Sequence, residues 1–345
     1  MPMSFAKRQT VVALMPEQCR RVAEMLAQVL IPLPDEDTPL DSVAPAELPN
    51  FYLSIVAICH QTSPLGQRRL EGRTRDRRRL FGWDYLRCRW AERVADNPAL
   101  NTPATWAGLE SADIERILQD ESGESTISDA AGRASLLQDI GQQMLRTRLS
   151  SAREIFDQSQ GRLISSSPLG LFARLETLRA YSDPVRKKSC FFLELMRGQC
   201  GWSYADASNL GAPVDYHEVR GHLRLGTVAI VDSTLETKVR LGQQTTDEED
   251  QAIRGAVYEA IGEISRLLGS TDPATLHYLF WNFFRQCCGR EIPHCGGCDE
   301  SCGLPTRYRN AFKHLSTAGC LFRPICPSAG RANKLTEHFH RTDFY

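Results

Sequence analysis

No stretch of this sequence is apolar over the length of a membrane span, and its N-terminus has no apolar signal core. The expectation is an intracellular, cytoplasmic protein with no membrane partner. Net charge is also lacking. Lys and Arg number 41 against 42 Asp and Glu, which leaves −1 and no global pull toward nucleic acid. Any such binding has to come from local basic patches. Strand-like alternation is scarce outside Thr227 to Val231, and no internal repeat is apparent, which argues against sheet-built and repeat architectures.

Other features are plentiful. At 345 residues and 42% hydrophobic content the chain can bury a large core and form two globular domains. It carries 12 cysteines, which in a reducing compartment favour metal ligation over disulfides. Four of them, Cys288, Cys295, Cys298 and Cys302, read C-x6-C-x2-C-x3-C. Gly296 and Gly297 let the central pair share one tight turn. Thiolates this compact select zinc or an iron–sulfur cluster over hard cations, and spacing alone does not separate the two.

The coarse pattern is all-α. Apolar periodicity predicts helices over 14–30, 84–96, 110–119, 171–181, 246–268 and 273–287, with one long helix or two over 129–157. Thr246 suits an N-cap, followed by Asp247, Glu248 and Glu249. Residues 31–50 hold five prolines and read as a linker or irregular wrap. The apolar run 51–60 fits a buried strand or a buried helix, broken by Gln61-Thr62-Ser63-Pro64.

Three segments carry candidate chemistry. Seven arginines fall within residues 68–79, among them Arg73 and Arg77, opposed only by Glu71 and Asp76. Arginine keeps its charge and pairs bidentately with phosphate, although such a run also suits a solvated face. Asp183-Pro-Val-Arg186-Lys187-Lys188 precedes an apolar helix. A lysine there, near the positive helix end and other cations, is more easily neutral and nucleophilic. Pro213-Val-Asp215-Tyr-His217 precedes a helix bearing Arg220 and Arg224, with Asp215 in the N-cap position.

The cysteine spacing with Pro293 before the central pair, and the Pro-Val-Asp-x-His string, resemble helix-hairpin-helix (HhH-GPD) DNA glycosylases of the endonuclease III type. The resemblance covers roughly residues 47–303. It implies two helical domains with a C-terminal iron–sulfur loop, divided as 47–212, then 1–46 plus 213–303, with 304–345 an extension. It implies a 4Fe–4S cluster rather than zinc on Cys288, Cys295, Cys298 and Cys302. That family usually has five residues in the last gap, so Cys287, Cys320 and Cys326 are alternatives to Cys302. By the resemblance Asp215 stabilises charge on the sugar, Lys188 is the nucleophile with Lys187 as substitute, and Gln61 beside His60 fills the gap left by an extruded base. Arg73, Arg77, Arg186 and Arg220 are the remaining candidates for DNA contact, with His217 and Arg220 also orienting their segment. The family's Leu-Pro-Gly-Val-Gly hairpin is replaced by Tyr181-Ser-Asp-Pro-Val-Arg186. The implied protein is a monomer that removes a damaged or modified base from double-stranded DNA, with or without strand cleavage, in repair or in defence against phage. Its target would be an oxidised or a bulky modified base. A nucleoside N-glycosidase of base salvage and a non-catalytic DNA-binding module are the rival readings.

Overall fold

The computed structural model describes residues 11–32, 42–64, 66–296, 303–312, 319–332 and 334–345. It is predominantly helical, with 53% of residues in helices. Among the described residues the elements run β1 (Val12–Leu14), α1 (Pro16–Leu26), α2 (Leu48–Ala57), β2 (Glu71–Arg73), β3 (Arg79–Phe81), α3 (Gly82–Asp96), α4 (Pro103–Trp106), α5 (Ser111–Ile117), α6 (Ala130–Arg146), α7 (Ala152–Gln158), α8 (Leu171–Leu175), α9 (Lys187–Cys200), α10 (Tyr216–Leu225), β4 (Val228–Ile230), α11 (Ser233–Arg240), α12 (Asp247–Leu268), α13 (Pro273–Gln286) and α14 (Thr306–Phe312). None of these helices is long and apolar enough to cross a membrane.

The chain divides into two compact units, Met1–Asp35 with Gly211–Arg341, and Glu36–Leu210 with Thr342–Tyr345. The stretch after residue 303 is therefore not a third body. Most of it belongs to the first unit, and its last four residues belong to the second.

The second unit is built around α2. Pro49 to Ala57 are all buried, so the continuous apolar run is a helix enclosed on every side. It begins at Leu48, inside the stretch expected to lack an element. Its carbonyl end needs donors, and Arg133 of α6, wholly buried, supplies them to Ile58 O and His60 O. Tyr181 donates to Leu53 O at 2.6 Å and ties the next segment to the same helix. Gly141 lets α6 meet α4 closely, since a Cβ there would lie 2.5 Å from Pro103 O.

In the first unit β1 pairs antiparallel with β4, Val12 opposite Ile230. The long α12 starts in a capping box between Thr246 and Glu249. Helix α10 crosses α13 at Gly221, where an added Cβ would meet the Phe284 ring at 2.0 Å. That approach seats the N-terminus of α10 beside Trp281 of α13.

Candidate functional site

Asp215 caps α10. Its Oδ1 accepts from His217 N at 2.7 Å and Glu218 N at 3.4 Å, and its Oδ2 accepts from Trp281 Nε1 at 3.0 Å. Donors of this kind fit the ionised carboxylate. Behind it, buried Glu218 accepts from Asp215 N at 3.1 Å and lies 2.8 Å from His277 Nδ1. The carboxylate is thus held by the helix, by an indole and by a buried acid–imidazole pair.

This acid remains only half-buried, as do Tyr216, His217, Trp281, Arg285 and Arg290 around it. The Tyr216 and His217 rings are 4.3 Å apart, Arg285 lies 4.6 Å over Trp281, and Arg290 lies 5.9 Å from the Tyr216 ring. Burial, with Asp215 adding, pushes the Tyr216 phenol up to about 12. Burial, with Arg220, Arg285 and Arg290, pushes His217 well below its usual range, so this imidazole is neutral. The result is an ionised acid rimmed by aromatic faces and two guanidinium groups.

The lysine pair sits differently. Asp183 accepts from Val185 N and Lys187 N at 3.0 and 2.9 Å and fixes the turn into α9. Lys188 is wholly buried, and its amine donates to Ala57 O and to Asp343 O. Burial pushes its ammonium down to about 7 against the pull of Cys59, with Lys187 and Arg133 adding to the fall. The lowered proton affinity expected at a helix start is present, but its cause is desolvation, and the amine faces protein. Lys187 Nζ lies 3.3 Å from Cys59 Sγ and 5.0 Å from the centre of the Phe191 ring.

The candidate DNA contacts divide in two. Arg220 is 2% exposed and donates to Cys288 O, Phe284 O, Glu337 and His217. It braces its own unit, which corrects its assignment to phosphate. His60 is also 2% exposed, so it is a core residue and not a surface contact. Gln61 is half-buried with φ at 42°, and its N–H donates to Tyr345 O at 3.1 Å. Arg186 pairs with Glu176 at 3.0 Å and lies 4.6 Å over Phe172. In the arginine-rich stretch, which forms the β2–β3 hairpin, Arg68, Arg69, Arg75, Arg78 and Arg79 pair with Glu71, Asp76, Asp96 and Glu124. Arg73 and Arg77 are exposed and form no ion pair among the described residues.

The expected 4Fe–4S cluster is corrected, and with it the thiolate metal site. Among the described residues, the side chains whose donor atoms come close enough to share an ion are His60, Asp129 and Asp343, all within 4.8 Å of one another. That set is imidazole and carboxylate, not thiolate. Cys298 and Cys302 lie outside the described residues. Cys288 and Cys295 line a small cavity with Cys320 and Cys326. Within it Arg224 Nη1 donates to Cys288 Sγ at 3.4 Å, and Cys326 Sγ donates to Arg224 O at 3.3 Å. Burial pushes the Cys320 thiol up to about 12 and raises that of Cys326, with neighbouring cysteines adding to both. Cys320, one of the alternatives to Cys302, reaches Cys295 through the fold, by a backbone hydrogen bond of 3.3 Å.

No family model matches this chain, and no curated protein matches it either.

Proposed function

We propose that the protein is a DNA N-glycosylase of the helix-hairpin-helix type, with Asp215 as its charge-stabilising residue. The observation that carries this reading is the Asp215 carboxylate, fixed by three N–H donors on a residue that is only half-buried. In base release the C1′–N bond breaks, its electron pair leaves with the base, and positive charge develops on the sugar. A preorganised anion beside C1′ lowers that barrier without having to reorient. The aromatic faces suit an unstacked base, and Arg285 suits a phosphate, whereas Arg290 is already paired with Glu337 at 2.5 Å. Water then adds to C1′ from the face opposite the departing base, and its proton passes to solvent.

The burial of Lys188 favours hydrolysis by water over attack by an amine, hence base release without strand cleavage. Arg73 and Arg77 are the further arginines assigned to phosphate contact.

The test is base release from a panel of duplexes bearing oxidised or bulky modified bases, with free nucleosides in parallel. Asp215→Asn is expected to lower release from DNA by about 10²-fold or more, and borohydride is expected to trap no covalent adduct. Release from nucleosides alone would move the assignment to base salvage. Full activity in Asp215→Asn, or no release from any substrate, would overturn the reading.

A further inference from the structure

We infer that His60, Asp129 and Asp343 form a site for one divalent cation, and that this ion clips the 342–345 segment onto the end of α2. Their donor atoms converge within 4.8 Å, as a single ion requires. His60 provides an observation independent of the acids. It is 2% exposed; its Nδ1 lies 3.5 Å from Lys188 Nζ, while its Nε2 is buried with no hydrogen-bond partner among the described residues. A buried nitrogen left unpaired is unfavourable, and a cation bound through it would satisfy it.

The two acids are also open to a ligand. Asp129 is exposed, has φ at 50°, and uses Oδ1 to accept from Gly132 N at 3.1 Å as the cap of α6. Asp343 Oδ2 is 4.0 Å from Arg179 Nη2, a weak pairing. The neighbouring Arg133 donates instead to the carbonyls of Ile58, His60 and Ser128. One imidazole and two carboxylates suit a cation such as Mn²⁺, with water completing the shell.

The consequence is structural. The 342–345 segment already reaches this unit through Tyr345 O, which accepts from Gln61 N, and Asp343 O, which accepts from Lys188. An ion joining Asp343 to His60 and Asp129 would hold the segment over the buried amine. The inference does not depend on the base-release reading.

Mn²⁺ is the probe, because thiol-rich positions elsewhere in the chain prefer softer metals. Full-length protein is stripped with chelator, and loss of the free Mn²⁺ paramagnetic signal is titrated. One ion per chain is expected. Asp129→Asn and Asp343→Asn should each weaken binding by about 10-fold or more, and Glu115→Gln, an exposed acid of the same unit, should leave it unchanged. Asp129 is a surface residue, so its variant keeps the test open even if a change at His60 unfolds the protein. Amide exchange in 342–345 should slow with Mn²⁺ in the wild type and not in Asp129→Asn. Absence of binding at millimolar Mn²⁺, or wild-type binding in both aspartate variants, overturns the site.

Discussion

Trp281 is the residue on which the geometry of Asp215 turns most directly. Its indole N–H reaches Oδ2 at 3.0 Å, while the two backbone donors share Oδ1. A hydrogen bond to a charged group is worth about 1.5–3 kcal/mol. Removing this donor frees the carboxylate to rotate about its Cβ–Cγ bond. Trp281→Phe keeps an aromatic face but not the N–H. Base release is expected to fall by about 10-fold or more, while the thermal midpoint moves by only a few degrees. Equal activity in the two proteins would show that the backbone cap alone fixes the acid. The cap itself was legible, because Pro-Val-Asp before an amphipathic helix is a local signal. Trp281 was not, since its side chain meets Asp215 only after α13 crosses α10 at Gly221. Lys188 shows the same limit. Its place at a helix start is local, but its burial comes from Ala57 and Asp343, both far away along the chain.

At the scale of elements, α12 carries a buried charge cluster with a measurable signature. Asp250, 2% exposed, accepts from Arg254 Nη2 at 2.9 Å and lies 2.8 Å from His338 Nε2. Burial pushes its carboxyl up, but Arg254 and His338 outweigh it and hold the group well below the usual carboxylate range. An unfolded aspartate titrates near pH 4. The cluster's contribution is therefore complete above about pH 5 and is lost as pH falls below about 4 toward the lower folded value. Asp250→Asn should cost about 3–5 kcal/mol at pH 7, because it leaves Arg254 buried without its anion. The gap to the wild type should narrow as pH drops from about 5 to 2. Urea midpoints for the two proteins at several pH values check this, and parallel curves would count against it. Helix α12 and its Thr246 cap were legible from periodicity and first-turn acids. The 334–341 segment was not, because its histidines give no periodic pattern. The fold buries His338 against Asp250, and His340 lies 3.1 Å from Thr245 O. The β2–β3 hairpin was hidden likewise, since its arginines read as a charge run until the pairing with Glu71, Asp76, Asp96 and Glu124 is seen.

At the scale of the whole molecule, the chain builds two cores from interleaved segments. One cluster gathers Val43 to Leu210, and the other combines Val12 to Leu26 with residues from Ala212 onward. The predominantly helical class and the presence of two bodies follow from composition and periodicity. The chain path that returns residues 342–345 to the unit left at Leu210 does not, because it rests on a few polar contacts and not on a pattern. Separate cores predict separate responses to a core defect. Leu279 of α13 is wholly buried in the first unit. Truncating it to Ala leaves a cavity that costs about 2–5 kcal/mol. If each core unfolds as its own cooperative body, amide protection in α1, α10, α12 and α13 should fall by about 30-fold or more. Protection in α2, α6 and α9 of the second unit should stay at its wild-type level. Hydrogen exchange followed by mass spectrometry resolves the two sets of helices. A matching fall in both would mean that the two cores open together, so that a defect in one removes the protection of the other.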